Sequence, residues 1–418
     1  MLFMVMVFMM VVFLAFRNKE VLCPSNIVFG SYFLYLIFPG TLFYVLEWVE
    51  WEYVLPWGKV NDWSRLSDEA LLSFAYVFSL FFLFTRSLEL ALPPASAQEL
   101  FSTYRVSPLM LFIGSALILT GAVYFFQVTG GADAWFNNYS DTYLENKKGY
   151  GFLNFLLIMS SNFLAFVLAF YLRTQRQFRW SLVVFVLLVL AFCAFIQGVK
   201  SRIFYFAIFF CIPWLSVAKL TLKKGALIFF GFILIFSFAM YFRSNGFYST
   251  PEMLLEYFLS YFNTIFLHDM ILRDMPPDLF LTVSYPFNKW STFVGLVSEE
   301  YLHDISRWLT SIYYPEQWFE GSATQQWPIE TELYLNYGYY IFWIVPIFIY
   351  ALYVGGLYAF RYRLGPVFLF IFVCELLFFL SMFRGSMLQW IAPFNMAFYG
   401  VLLLCSRLLF IRVSPDEP

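Results

Sequence analysis

The stretch "GVKSRIFYF", Gly198 to Phe206, decides how this chain is threaded. Before it runs "SLVVFVLLVLAFCAFIQ", and from Ile203 onward runs "IFYFAIFFCIPWLSVA". Each apolar run approaches the roughly 20 residues a helix needs to cross a bilayer. Two spans joined this closely make a tight hairpin with Lys200 and Arg202 at its bend. A cation there means different things on the two sides of a membrane, so sidedness comes first.

The chain is 61% hydrophobic, 24% aromatic and 12% charged, about half the charge of an ordinary soluble domain. Apolar runs of spanning length recur from end to end, which predicts an all-α, polytopic integral membrane protein, one transmembrane domain over 1–418. A barrel would instead alternate apolar and polar residues over about 10 positions. The opening "MLFMVMVFMMVVFLAF" lacks a basic leader and a small-residue cleavage site, and reads as a first span rather than a signal peptide. Cys23, Cys193, Cys211, Cys374 and Cys405 avoid the expected outer loops and show no metal-ligand spacing. Neither a disulfide framework nor a zinc site is expected. No cofactor, metal or nucleic-acid partner is expected.

Eleven spans are expected: 1–16, 26–48, 67–85, 108–126, 153–172, 180–198, 203–218, 225–242, 334–356, 365–383 and 386–406. The segments between them fall into two sets. One set, with "RNKE", "RTQRQFR", "KLTLKK", "RYR", 86–107 and the tail, holds 14 Lys and Arg against 5 Asp and Glu. The other, counted with Glu47, Asp68 and Glu69 at the outer margins of its spans, holds 11 against 21, leaving Glu375 alone deep inside a span. Short basic loops stay cytoplasmic, so the N-terminus is expected outside and the C-terminus inside. The hairpin at Gly198–Phe206 then faces outward.

The largest outer segment is 243–333. Thr250, Pro251 and Glu252 start a helix there. Leu255, Phe258, Leu259, Phe262, Phe266 and Met270 recur at helical spacing. Glu256, Ser260, Thr264 and His268 form an opposing stripe. This predicts an amphipathic helix lying on the outer membrane surface.

Lys200, Arg202, Arg243 and Arg384 sit at the outer ends of their spans, where positive charge is least expected. Interfacial cations can simply snorkel to headgroups. Three arginines on one face also suit an anion site, because the guanidinium fork binds phosphate bidentately and keeps its charge when partly desolvated. A lipid-linked pyrophosphate presents its anion at this depth, and arginine can support its departure. A transferase also needs a group to take the proton of the attacking hydroxyl. His268 and His303, with Asp269, Asp274, Glu330 and Glu332, lie in or near the large outer loop, and a base works best with a pKa near ambient pH. His268 is the favoured candidate, with Glu330 and Glu332 beside it; a water-facing histidine and a solvated helix start suit the same residues. Outer tryptophans (Trp48, Trp51, Trp57, Trp63, Trp135, Trp308, Trp318, Trp327) fit an interfacial belt or sugar stacking. Glu375 must face the bundle interior, as a structural hydrogen bond or part of a proton-coupled carrier.

The stretches "GVKSRIF", "ETELYLNYGYYIF" and "FRGSMLQW", 28 residues in all, together with the large late outer loop, resemble the Wzy-type polymerases that join lipid-linked oligosaccharide repeat units into O-antigen or capsule. The resemblance implies a GT-C-like glycosyltransferase of the bacterial inner membrane, acting at the periplasmic face. Its donor and acceptor would be undecaprenyl-pyrophosphate-linked glycans, with inversion at the anomeric carbon and no metal. A chain-length regulator is an added possible partner. The resemblance carries Arg202, Glu332 and Arg384 as site residues, whereas Lys200, Arg243 and His268 rest on charge and depth. Three other functions suit parts of the pattern. A lipid-phosphate-sugar transferase would use acids such as Glu47, Glu50 and Glu52. An O-antigen ligase would look much the same. A flippase would need broken spans in matching halves, which the sequence does not show.

Overall fold

The computed structural model describes the chain except for 49–65, 138–141, 143–148, 244–249, most of 251–263, 278–281, most of 297–304, 320–323, 388–390, 414–418 and the single positions 94, 176, 178 and 284. The protein is mostly helical. Among the described residues, seven helices are long and apolar enough to cross a membrane: Pro24–Val45, Asp68–Ala91, Pro108–Val128, Gly151–Thr174, Trp180–Gln197, Tyr340–Phe360 and Ala392–Leu409. Shorter apolar helices cover Leu2–Phe16, Arg202–Leu215 and Pro366–Met382. A further helix runs Leu222–Arg243. The chain is thus a multi-pass membrane protein by the length and composition of its helices.

Local signals set the helix starts. Ser67 accepts the Ala70 N–H ahead of Asp68 and Glu69. Ser107 accepts the Met110 N–H with Pro108 as the next residue. Both follow from side-chain oxygens satisfying the open amides of a first turn.

Packing divides the chain into two units. The first contains Met1–Pro93, Leu220–Tyr358 and Glu375–Asn395. One of its ends is tied by Glu89, which accepts hydrogen bonds from the Ser25 amide and hydroxyl and from Asn18 Nδ2, each 2.8 Å. Arg86 pairs with the same carboxylate at 3.2 Å. Tyr358 donates to Glu20, and the Leu220 amide donates to the Lys19 carbonyl. Loops expected to share the cytoplasmic side therefore meet at this end. The other end gathers Ser67, Asp269, Tyr340 and the segments around Glu332 and Ser386.

The second unit contains Pro94–Lys219, Ala359–Cys374 and Met396–Pro418. It carries one departure from an all-helical fold: Tyr104–Val106 pairs antiparallel with Phe410–Arg412, a two-stranded ribbon joining the tail to the 86–107 segment. Within this unit, helix is continuous from Trp180 to Leu215, 36 residues, with no loop at Gly198–Arg202. Straight, such a helix would run about 54 Å. Yet the Arg179 amide donates to the Tyr171 hydroxyl at 3.0 Å, and the Arg173 guanidinium lies 6.0 Å from the Trp214 ring. Both ends of this helix therefore reach the same end of Gly151–Thr174. Between them, Phe195 packs on Trp135 and Phe209 packs on Phe370. The chain reverses direction as the hairpin reading requires, but it bends through helical backbone.

Two sequence expectations change. The span expected at 334–356 begins at Tyr340, because Gly338 (φ +65°) ends a separate short helix, Ile329–Tyr337. A non-glycine residue rarely takes that backbone angle. The helix holding His268, Thr264–Asp274, does not lie on the membrane surface with its polar stripe exposed. Thr264, His268 and Asp269 are buried, as are Ile265, Leu267 and Ile271. The outer loop forms its own apolar cluster from Leu267, Ile271, Ile305, Leu309, Trp327 and Leu335, and that cluster holds the helix inward. Thr250 accepts the Met253 N–H at 3.3 Å, the bond expected of a cap; Pro251, Glu252, Glu256 and Ser260 lie outside the described residues.

Candidate functional site

The Ile329–Tyr337 helix presents its first turn to the interior of the first unit. Glu330 is 1% exposed and Glu332 is 4% exposed, so the solvated helix start expected for them is not what forms. Glu332 is held on both oxygens. Oε1 accepts the Ser386 hydroxyl at 2.8 Å and the Thr282 hydroxyl at 3.2 Å. Oε2 accepts the Met387 amide at 2.6 Å. Asn336, one turn on, accepts the Thr282 amide at 2.7 Å and donates to the Thr282 hydroxyl at 2.6 Å and the Glu332 carbonyl at 2.8 Å. "ETELYLNYGYYIF" and "FRGSMLQW" are thereby fastened together, 54 and 55 residues apart in sequence.

Arg384 leads that loop. Its guanidinium lies 5.9 Å from the centroid of the Phe262 ring. Phe262 packs in turn on Tyr35, 5.6 Å between ring centroids. Tyr32 donates to Glu330 at 2.5 Å. Tyr32 ends the Pro24–Tyr32 helix, and the next segment, Phe33–Ile37, is π-helical. A π-turn shifts the helix face by an extra residue and often marks a functional position. Here the π-segment bears Tyr35 toward Phe262, and Tyr32, just before it, faces Glu330. Sequence reasoning missed Tyr32, since a tyrosine inside an apolar run carries no charge or turn signal.

Burial pushes the Glu330 carboxyl up to about 8, with the Tyr32 hydrogen bond pulling weakly the other way. Desolvation disfavours its ionised form. His268 is 0% exposed, and burial pulls its imidazole down to about 3. It is neutral at ordinary pH, so the expectation of a histidine base poised near ambient pH is corrected. Its Nδ1 lies 3.2 Å from the Thr331 hydroxyl, between the two glutamates in sequence. Phe74 and Tyr334 rings stand 6.1 and 6.4 Å away. Asp269 accepts the Ser67 amide at 3.1 Å and pairs with Arg273.

The remaining candidates fall elsewhere. Arg202 belongs to the second unit, half-buried, with its guanidinium 5.4 Å from the Tyr205 ring centroid. The side chains of Lys200 and Arg243 lie outside the described residues, as do His303, Glu50 and Glu52. Trp135 and Trp327 are fully buried, donating to Thr129 at 2.9 Å and Thr310 at 3.3 Å. Glu375 is buried. Among the described residues, no group of three or more His, Cys, Asp or Glu side chains is placed to hold a metal. No family model, curated protein or solved structure matches this chain.

Proposed function

We propose that this chain is a Wzy-type polymerase that joins undecaprenyl-pyrophosphate-linked repeat units into a surface polysaccharide. In this reading eleven helices cross the bacterial inner membrane in a GT-C-like arrangement, and the chemistry occurs at the periplasmic face. The observation that carries the reading is the Glu332 carboxylate, which ties the loop behind Arg384 to the helix bearing Glu330. Two distant stretches that the resemblance singles out are thus part of one structure.

The roles follow from the chemistry of the side chains. Arg384 grips the donor pyrophosphate, its planar fork matching two phosphate oxygens. Arg202, with Lys200 and Arg243, remains a further candidate for holding an anion. A hydroxyl oxygen of the acceptor sugar attacks the anomeric carbon of the donor. The carbon–oxygen bond to pyrophosphate breaks with inversion, and undecaprenyl pyrophosphate leaves with the bonding pair. Glu330 in its ionised form takes the hydroxyl proton; a pKa near 8 makes it a stronger acceptor than an ordinary carboxylate. Glu332 is a positioning residue, holding the Arg384 loop.

Deleting the gene and running the host's surface polysaccharide on a gel tests the reading. A polymerase loss leaves single repeat units on the lipid core. Full-length ladders, almost no repeat units, or long polymer that never reaches the core would each overturn it, the last two indicating a flippase and a ligase.

A further inference from the structure

Two polar groups of the Thr264–Asp274 helix lack the partners that burial demands. His268 Nε2 and Thr264 Oγ1 are both buried and make no hydrogen bond to any described residue. They are four residues apart, so they share one helix face. Leaving such a group unpaired costs about 1–3 kcal/mol. Nothing in the packing of the outer loop obliges the chain to bear that cost twice, since valine and phenylalanine would fill similar space.

The chemistry of the imidazole narrows what meets it. His268 is neutral, and its Nδ1 is engaged with the Thr331 hydroxyl. If Thr331 donates to Nδ1, Nε2 carries the proton and needs an acceptor. If Nδ1 donates to Thr331, Nε2 needs a donor. Only a group that can donate and accept satisfies both tautomers, and the Thr264 hydroxyl has the same dual requirement. Hydroxyl groups are such partners. An ionised phosphate or carboxylate only accepts, so it meets the Nε2–H form alone, whereas a hydroxyl meets either. The surroundings add aromatic rings, Phe74 and Tyr334 beside His268. Hydroxyls flanked by aromatic rings describe a sugar. Thr331 also sits next to Glu330 in sequence.

We propose that Thr264 and His268 form a carbohydrate subsite that binds hydroxyls of the acceptor sugar and presents one of them toward Glu330. The assignment rests on the polymerase reading and deepens it: His268 binds rather than takes the proton. Glu330, Glu332, Thr264 and His268 are all shielded from solvent in this conformation. The subsite therefore opens when this helix shifts from its seat. Ligand hydroxyls, or water on opening, then supply the bonds that the closed form lacks.

Two substitutions test it cleanly. Thr264→Val removes the unmet hydroxyl at nearly constant shape. His268→Asn keeps an atom to pair with Thr331 and deletes only the Nε2 end. The assay uses purified full-length protein and lipid-linked repeat units extracted from the host. It reads the concentration giving half-maximal extension, the maximal rate and its pH profile. Each variant should raise the half-maximal concentration about tenfold, the worth of one lost hydrogen bond of roughly 1.4 kcal/mol. Maximal rate and pH profile should stay close to wild type, and Thr264→Val should unfold no earlier than wild type. Unchanged half-maximal concentrations in an extending enzyme would overturn the subsite alone. So would earlier unfolding of Thr264→Val, which would mean its hydroxyl has an internal partner. A loss confined to maximal rate with an altered pH profile would return His268 to proton transfer and overturn the subsite too. A wild-type protein that extends nothing would overturn the polymerase reading and the subsite with it.

Discussion

Glu89 and Glu330 are both buried glutamates of the first unit, one at each end, and their surroundings differ. Glu89 accepts from Ser25 twice, from Asn18 and from Arg86. Its charge is met by donors from three chain segments, and it acts as a knot. Among the described residues, Glu330 takes one side-chain bond, from Tyr32, beside a backbone amide, and burial lifts its pKa to about 8. A carboxylate so thinly supported is costly to keep charged, and that same cost makes it a proton acceptor near ambient pH. Glu332 lies between the two cases: fully engaged like Glu89, but engaged with the loop behind Arg384. The contrast teaches that burial alone does not set an acid's protonation; the number and kind of its donors does.

The comparison can be broken most forcefully at Glu332. Glu332→Ala frees the Ser386–Met387 loop, and extension should fall by about a hundredfold or more, since a misplaced group about 1 Å away costs that much. Near-normal ladders from this variant would show that the fastening is incidental. At Arg384, lysine keeps the charge but not the fork, and extension should drop by roughly ten- to a hundredfold relative to arginine. Full rescue by lysine would mean a simple point-charge contact.

Glu89 should behave in the opposite way. Glu89→Ala leaves the Ser25, Asn18 and Arg86 donors without their shared acceptor and should cost roughly 1–3 kcal/mol of stability, read as earlier unfolding in detergent. Rate per folded molecule should stay unchanged. A folded but inactive variant would erase the distinction between the two ends.

pH sharpens the comparison further. The folded-state pKa of Glu330 lies above its ordinary value of 4.5. Its contribution to stability is therefore full below about 4.5 and is lost as pH rises through about 8. Glu330→Gln should remove that decline, so wild type loses unfolding temperature relative to the variant across this window. Tyr32→Phe deletes the side-chain donor to the carboxylate, which moves its pKa higher still and shifts the alkaline rise of activity upward. An unshifted profile would take Glu330 out of proton transfer. The smallest effect belongs to His268. Its folded pKa, about 3, lies below the ordinary 6.5, so its contribution is present above 6.5 and lost as pH falls toward 3. His268→Asn should flatten that part of the acid limb.

Much of the membrane architecture is legible in the sequence, because an apolar run of spanning length has few alternatives. Loop charge grouped the segments, and each unit brings loops of the basic set to one end. The reversal near Arg202 was legible from the shortness of its linker, although its helical backbone was not. Gly338 in "NYGYY" carried the signal that separates Ile329–Tyr337 from the next span. The site was legible only where charge stood out, at Glu330, Glu332 and Arg384. Helical spacing put Thr264 and His268 on one face, but spacing cannot say whether that face meets water or protein. Tyr32 was hidden because its role depends on a partner 298 residues away and on a π-turn.

The most direct test returns Arg384 to a living strain. A strain lacking this gene is complemented with wild type or with Arg384→Ala, and its surface polysaccharide is run on a gel beside a check that both proteins insert to equal amounts. The account predicts a restored ladder with wild type and single repeat units with Arg384→Ala. A wild-type ladder from Arg384→Ala would contradict it.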